Sequence, residues 1–450
     1  MTIALVGSTP VNVILEKEFA AAQMETITVK SNELQRVSGH IGDFRLQTLD
    51  GERRAGVIVV TEPPEAKLPG IGHALLDSDP VSHPHTKPVV LLMDYEQESR
   101  QFMTPVALEL ALFLARRRRT VFFLKRSVKT AGTDQERLYQ EARGAGVVFV
   151  DYDQVQIAET DQGFAHVSAQ DESQSLEIGP CSLIVAETIH PGKTGALADC
   201  LKLRRDRWGF IDEYKHYLYP VMTSRRGVYA IDTLRACCEP EYLEEAIAAV
   251  IGDSAEQLTA DANLLYVELD KEKCAFCYTC YRACPHAALT PNQAEAVMEP
   301  WEEACFGCGI CVSMCPANAL QLTLEKPAQG ASQSVQIFCC ENSGDTAISR
   351  LQEDLAHEGL TVSQVSVTCG GEITVERLLQ ALRQYEKVIA AVCMDDACQH
   401  FDGNRRACAQ TERAVSMLEA AGLEPGRIRF VQLSQGMPRL LHEEIREALL

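Results

Sequence analysis

Apolar residues in this chain come in short runs separated by polar stretches of helix or loop length. Runs rich in β-branched and large aliphatic residues predict strands at Ile3 to Val6, Gly56 to Val60, Pro88 to Met93, Thr120 to Leu124, Val147 to Val150 and Leu183 to Ala186. Such residues suit a pleated, buried surface. Helical periodicity predicts helices over Pro105 to Arg117 and Asp134 to Ala145. The alternation returns late in the chain, with strands expected at Val335 to Cys340, Val362 to Cys369, Lys387 to Cys393 and Ile428 to Ser434. Helices are expected near Thr346 to Leu355, Thr374 to Tyr385, Arg405 to Ala421 and from Pro438. Strand following helix following strand argues a parallel α/β sheet at each end of the chain.

Runs such as Val106 to Ala115 are too short to cross a membrane. The start, MTIALVGSTPVNVILEKEF, has neither a basic segment nor a small-residue cleavage site, so no signal peptide is expected. The protein is expected in the cytoplasm, with room for association with a membrane-bound partner. A length of 450 residues suits about three domains. The formal net charge of −21 argues against nucleic acid and anionic membranes as partners. The basic run Arg116 to Arg119 then reads as a solvated helix end.

Eighteen cysteines change the picture. Disulfide frameworks belong to small secreted domains, so metal is the first reading. One group is Cys274-Ala-Phe-Cys277-Tyr-Thr-Cys280-Tyr-Arg-Ala-Cys284-Pro285, the other Cys305-Phe-Gly-Cys308-Gly-Ile-Cys311-Val-Ser-Met-Cys315-Pro316. Each cysteine of the second lies 31 residues after its counterpart, which makes an internal repeat. In this C-x2-C-x2-C-x3-C-P pattern three thiolates curl around one cubane and the fourth reaches the other. The expected sets are Cys274, Cys277, Cys280 and Cys315 for one [4Fe–4S] cluster, and Cys305, Cys308, Cys311 and Cys284 for the second. Zinc usually takes two C-x2-C knuckles per ion, which a doubled eight-cysteine run does not suit. Residues 265 to 325 resemble bacterial two-cluster ferredoxins.

Beyond a linker-like stretch from Lys326 to Ser334, Cys340, Cys369 and Cys393 each end an expected strand, and Cys398 follows. Ligands of open parallel sheets bind at the carboxyl ends of strands. Four thiolates there suffice for a [2Fe–2S] cluster. Cys339, adjacent on the strand, should face the other way, and Cys408 reads as a helix-face residue. The runs Phe338-Cys-Cys-Glu-Asn342, Cys369-Gly-Gly-Glu-Ile373 and Cys393-Met-Asp-Asp-Ala-Cys398-Gln-His-Phe-Asp-Gly-Asn404 resemble the delta subunit of methyl-viologen-reducing hydrogenase. That resemblance implies a [2Fe–2S] protein passing electrons between a hydrogenase and heterodisulfide reductase. Ser343 stands where that protein has a further cysteine. The Cys-Glu-Asn form is more similar to the fused domain in the B-type subunit of quinone-interacting membrane-bound oxidoreductase.

The N-terminal region resembles the flavoprotein subunit of heterodisulfide reductase. The carrying segments are Gly42-Asp-Phe-Arg-Leu, Gly56-Val-Ile-Val-Val60, Ser182-Leu-Ile-Val-Ala-Glu187, Gly209-Phe-Ile-Asp-Glu213 and Pro220-Val-Met-Thr-Ser-Arg-Arg-Gly227-Val-Tyr-Ala-Ile-Asp232. A ferredoxin insert follows in the same order as here. The departures bear on the flavin. Dinucleotides need a glycine-rich turn, whereas the first strand runs into Val6-Gly7-Ser8-Thr9-Pro10 and the second candidate turn, Met93 to Ser99, has no glycine and three carboxylates. FAD is therefore admitted but not favoured, with Gly7 and Asp232 the positions to examine. Cys181, Cys200, Cys237 and Cys238 read as structural thiols. His190, His216, His286 and His400 read as ordinary polar residues.

The expected architecture is α/β. It comprises a Rossmann-like, degenerate flavoprotein-type region over 1–262, a two-[4Fe–4S] ferredoxin domain over 263–328 and a parallel α/β domain with a [2Fe–2S] site over 332–450. The expected function is an electron-transfer subunit of a heterodisulfide-reductase-like complex, relaying electrons to partner subunits without a substrate site of its own. Those partners would be heterodisulfide-reductase-like, hydrogenase-, dehydrogenase- or quinone-linked, in a hetero-oligomer. The alternative is an FAD-binding, electron-bifurcating flavoprotein subunit.

Overall fold

A computed structural model describes residues 2–77, 87–129, 134–160, 164–171, 175–214, 221–259, 265–323 and 334–449. His216 and most of the stretch from Lys326 to Ser334 lie outside the described residues.

The buried run Ile3 to Val6 forms strand Thr2–Val6, which pairs in parallel with Glu25–Val29 on one side and Val57–Val60 on the other. Val228–Ala230 adds a fourth parallel strand at the edge. The strand at 25–29, the helix Val11–Ala21 and the antiparallel meander Leu34–His40, Asp43–Thr48 and Gly51–Ala55 were not marked by the apolar runs. Their burial is one-sided, so their sequences mix charged and apolar positions, as in Gly51-Glu-Arg-Arg-Ala55.

A second sheet takes Val89–Leu92, Val121–Lys125, Val148–Asp151 and the end of the long strand Ser175–Val185 in parallel. The start of that long strand turns outward into an antiparallel hairpin with Gln154–Glu159 and Ala165–Gln170. Helix Met103–Arg116 covers the sheet with Ala107, Leu108, Ala111 and Leu114. At its end Arg116, Arg117 and Arg118 are exposed as expected, and Arg119 departs from the run. Arg119 is buried, donating from Nη2 to the Lys87 carbonyl at 3.0 Å.

Between the two ends of the chain, a pair of one-turn helices, Thr279–Ala283 and Ile310–Met314, each leaves a cysteine loop and runs into a proline. Hairpin Val297–Pro300 with Leu289–Asn292 and the pairing of Val267–Leu269 with Leu320–Leu322 close the unit. The C-terminal part is one parallel sheet, ordered Ser363–Val367, Val335–Cys340, Lys387–Cys393 and Ile428–Leu433. Here the expected single helix from Thr346 splits into Gly344–Ser349 and Gln352–His357. Ser349 Oγ donates back to the Asp345 carbonyl at 2.7 Å, a contact that loosens a helix. No helix among the described residues is long and apolar enough to cross a membrane.

Candidate metal centres

The doubled cysteine run produces two sulfur-lined sites. One is lined by Cys274, Cys277, Cys280 and Cys315. The other is lined by Cys284, Cys305, Cys308 and Cys311. Left-handed backbone at Phe276 and Tyr278 in one loop, and at Gly307 and Gly309 in the other, bends each chain around its site. Backbone amides point at the sulfurs in matched positions. Ala288 N–H donates to Cys284 Sγ at 3.4 Å and Ala319 N–H to Cys315 Sγ at 3.3 Å. Gly307 N–H donates to Cys305 Sγ at 3.4 Å.

The sets differ in exposure: Cys277 is exposed, whereas Cys305, Cys308 and Cys311 are buried. Burial raises the Cys308 and Cys311 thiols well above the ordinary range, and the neighbouring Cys284 adds to it. Thiolates crowded into so dry a site are stable only with a cation among them, and metal binding there displaces protons. The donor set thus fits iron.

A third sulfur group stands at the carboxyl edge of the C-terminal sheet. Cys340 and Cys393 end adjacent strands, with Sγ atoms 3.6 Å apart. Cys369, expected to end its strand, lies two residues past it and caps the turn Gly370–Glu372, and its Sγ is 3.8 Å from that of Cys398. Tetrahedral metal–sulfur bonds of about 2.3 Å, the zinc–thiolate value, give sulfur–sulfur edges of about 3.8 Å. Each pair therefore has the spacing of two ligands on one metal, and there are two pairs. The two sulfurs of each pair titrate together: the close sulfur–sulfur contact pushes one thiol of the pair up and holds the other down, because two neighbouring thiolates repel. Asn342 Nδ2 also donates to Cys393 Sγ at 3.5 Å. Buried Ser343 lies beside the same sulfur. Cys339 packs on the opposite face with Ala347 and Ile348. Cys408 sits on helix Gly403–Ala420, against Glu412.

The third group abuts the second site. Cys308, Ile310, Cys369 and Cys398 share one buried cluster. Two histidines read from sequence as ordinary polar residues span this contact. His286 donates from Nδ1 to the Ser224 carbonyl at 2.6 Å, and its Nε2 meets His400 Nδ1 at 3.0 Å. With Cys308 they bring three donor atoms within 4.8 Å of one another. Their only local signal is position, each two residues after a cysteine in Cys284-Pro-His286 and Cys398-Gln-His400. The N-terminal part joins the same junction. Arg204 Nη1 donates to the Cys398 carbonyl at 3.3 Å, and Gln399 Nε2 to Tyr214 Oη at 2.5 Å.

The remaining sequence candidates lie elsewhere. His190 bonds Thr188 Oγ1 at 3.0 Å. Buried Cys181 donates to the Ala165 carbonyl at 3.1 Å. Cys237 and Cys238 lie on the short helix Thr233–Cys238, and Cys200 on Thr194–Leu201.

The positions marked for a flavin are internally occupied. Gly7 has φ +137°, and an added Cβ would lie 2.5 Å from the Glu62 nitrogen, so its glycine serves a close chain approach. Asn12 Nδ2 donates to the Gly7 carbonyl at 3.0 Å across the turn, and Pro10 has no N–H to offer a phosphate. Asp232 caps helix Thr233–Cys238, accepting from the Leu234 and Arg235 amides. At the second sheet, buried Asp94 accepts from the Ser99 amide at 2.8 Å and the Arg126 amide at 3.2 Å. Its carboxylate takes up N–H groups that a diphosphate would use. These residues do not fit a dinucleotide.

Comparison with known proteins adds names to this arrangement. The family described as methyl-viologen-reducing hydrogenase, delta subunit, matches residues 335–449, and the 4Fe-4S dicluster domain matches residues 273–320. A heterodisulfide reductase A-like protein of Archaeoglobus profundus is 29% identical over 186 residues, 40% of this chain and 26% of that protein. The A-type subunit of the ferredoxin:CoB-CoM heterodisulfide reductase of Methanosarcina mazei is 24% identical over 328 residues, 68% of this chain and 41% of that protein. The iron-sulfur D-type subunit of the F420-non-reducing hydrogenase vhu of Methanopyrus kandleri is 30% identical over 101 residues, 22% of this chain and 76% of that protein. The chain thus spans less than half the length of the two heterodisulfide reductase relatives.

Proposed function

Since this chain is similar to heterodisulfide reductase A-type subunits and carries stretches matching a 4Fe-4S dicluster domain and the hydrogenase delta-subunit family, we propose that it serves as the electron relay of a multi-subunit redox complex of the heterodisulfide reductase type. Cys274, Cys277, Cys280 and Cys315 would hold one [4Fe–4S] cluster, and Cys284, Cys305, Cys308 and Cys311 a second. The pairs Cys340–Cys393 and Cys369–Cys398 would each hold one iron of a [2Fe–2S] cluster. When bound, such groups supply one-electron redox chemistry.

The observation that carries this reading is the continuity of the three thiolate sets. Cys398 and Cys369 share a buried cluster with Cys308, and Cys308 belongs to the set whose Cys311 lies in one core with Cys280 of the next. The protein's own part is to keep this line dry and fixed. Ile310 fills the space between the second and third sets, and the His286–His400 pair ties them. The line reaches the surface at Cys277, where a partner protein would take or give electrons. No step is assigned to a flavin, because Asn12, Pro10 and Asp94 occupy the places a dinucleotide needs.

A stepwise reductive titration of the anaerobically purified full chain tests the relay. It should take up about three electrons per chain, one for each cluster, and no flavin should appear in the denatured supernatant. Uptake of about two electrons would remove the third centre. Stoichiometric FAD would restore the flavoprotein reading.

A further inference from the structure

Resting on this relay reading, we propose that Arg225, Arg226 and Lys202, all from the N-terminal domain, make the thiolate set of Cys284, Cys305, Cys308 and Cys311 hold the more oxidising of the two cubanes. The flavoprotein-like fold would then serve as an electrostatic cover for that centre.

The geometry places three cations against this one set. The segment Thr223-Ser-Arg-Arg226 is docked onto the end of the first cysteine run, two residues past Cys284, by the His286 bond to the Ser224 carbonyl. The Arg226 guanidinium lies 4.5 Å from the centroid of Phe306, the residue between Cys305 and Gly307. Arg225 is buried, donating to the Leu201 carbonyl at 2.9 Å and the Gly39 carbonyl at 2.7 Å. Its charge acts on Cys200 first and then on Cys284. Lys202, at the rim, puts Nζ 3.4 Å above the Tyr281 ring, three residues before Cys284. Arg226 interacts with Cys305, and Lys202 with Cys284. Among the described residues, the carboxylate that acts on Arg226 is the half-buried Asp253, which also accepts from Tyr229 Oη. Burial lowers Arg225 only to about 10, so it stays charged at neutral pH.

The first set has different surroundings. Its Arg282, on the exposed side, donates to the Cys277 carbonyl at 3.0 Å. Nearby Lys271 and Lys273 are already paired with Glu295 and Asp270. Salt and water screen charges there far more than at the buried set. Reducing a cubane adds one electron and one negative charge, with no bond broken. Fixed cations in a low-dielectric site favour that added charge. The same protein charge therefore acts strongly on one cubane and weakly on the other.

The test is potentiometric titration of the anaerobic full chain followed by EPR. In the parent the two cubanes should titrate apart by at least about tenfold in reduction equilibrium, or about 59 mV for one electron. Cys277→Ser should alter the spectrum of the lower-potential cubane; alteration of the higher-potential one overturns the assignment. Arg226→Gln should lower the equilibrium of the higher-potential cubane about tenfold and leave the other in place, while Arg226→Lys should restore it. If Arg226→Gln loses iron, Lys202→Gln should show the same one-sided shift at about threefold. At parental iron content, no shift, or equal shifts of both cubanes, overturns the proposal. Failure of the relay reading is distinct, because it would appear as a deficit in the electron count with the two cubane potentials still split.

Discussion

Adjacent residues in this chain take opposite roles. Cys339 and Cys340 follow one another on a single strand, yet Cys339 packs in the core with Ala347 and Ile348 while Cys340 meets Cys393 at 3.6 Å. The alternation of side chains along a strand forces that division. Cys369→Ser should therefore remove the [2Fe–2S] EPR signal and about two irons, leaving the cubane signals. Cys339→Ala should keep all the iron and lower stability by about 1 kcal/mol, as loss of a small buried side chain does. Iron analysis with EPR on both variants checks the contrast. Loss of the signal in Cys339→Ala would show that the ligand face is misassigned. The cubane cysteines stood out in the sequence because their spacing is local, and the third group because its cysteines fall at or near expected strand ends. His286 and His400 were not, because a lone histidine carries no local sign of a partner 114 residues away.

Elements bring these residues into register. Strands buried on both faces, such as Val57–Val60 and Val89–Leu92, read directly from their continuous apolar runs. The meander from Leu34 to Ala55 and the hairpin from Gln154 to Gln170 did not, since each keeps one face in water and mixes its residues. Helix Gly403–Ala420 shows what an element does for the site. Its first residue sits so close to Cys369 that an added Cβ would lie 2.1 Å from the sulfur and 3.0 Å from the Gly371 nitrogen. Gly403→Ala must push that sulfur away from Cys398. The expected result is a [2Fe–2S] signal reduced by at least about half, with about eight irons retained in the cubanes. A variant with an unchanged [2Fe–2S] signal would mean that the helix start does not position Cys369.

At the scale of the molecule, three folds meet around one line of sulfur. The ferredoxin unit lies in contact with both neighbours, through Ser224 on one side and through Ile310 and His400 on the other. Sequence could supply the parts in order, but not this junction, because Tyr214, Arg204, His286 and His400 come from segments far apart in the chain. The degenerate turns at Gly7 and Asp94 were legible as missing glycines. The hydrogen bonds that fill those turns, from Asn12 and to the Asp94 carboxylate, required the fold. On the proposed reading, twelve cysteines hold two cubanes and one binuclear cluster. The Mössbauer spectrum of anaerobically purified, 57Fe-enriched full chain tests it most directly. About four-fifths of the iron should appear as [4Fe–4S] and about one-fifth as [2Fe–2S], from eight and two irons per chain. A spectrum of [4Fe–4S] iron alone at eight irons per chain would contradict it.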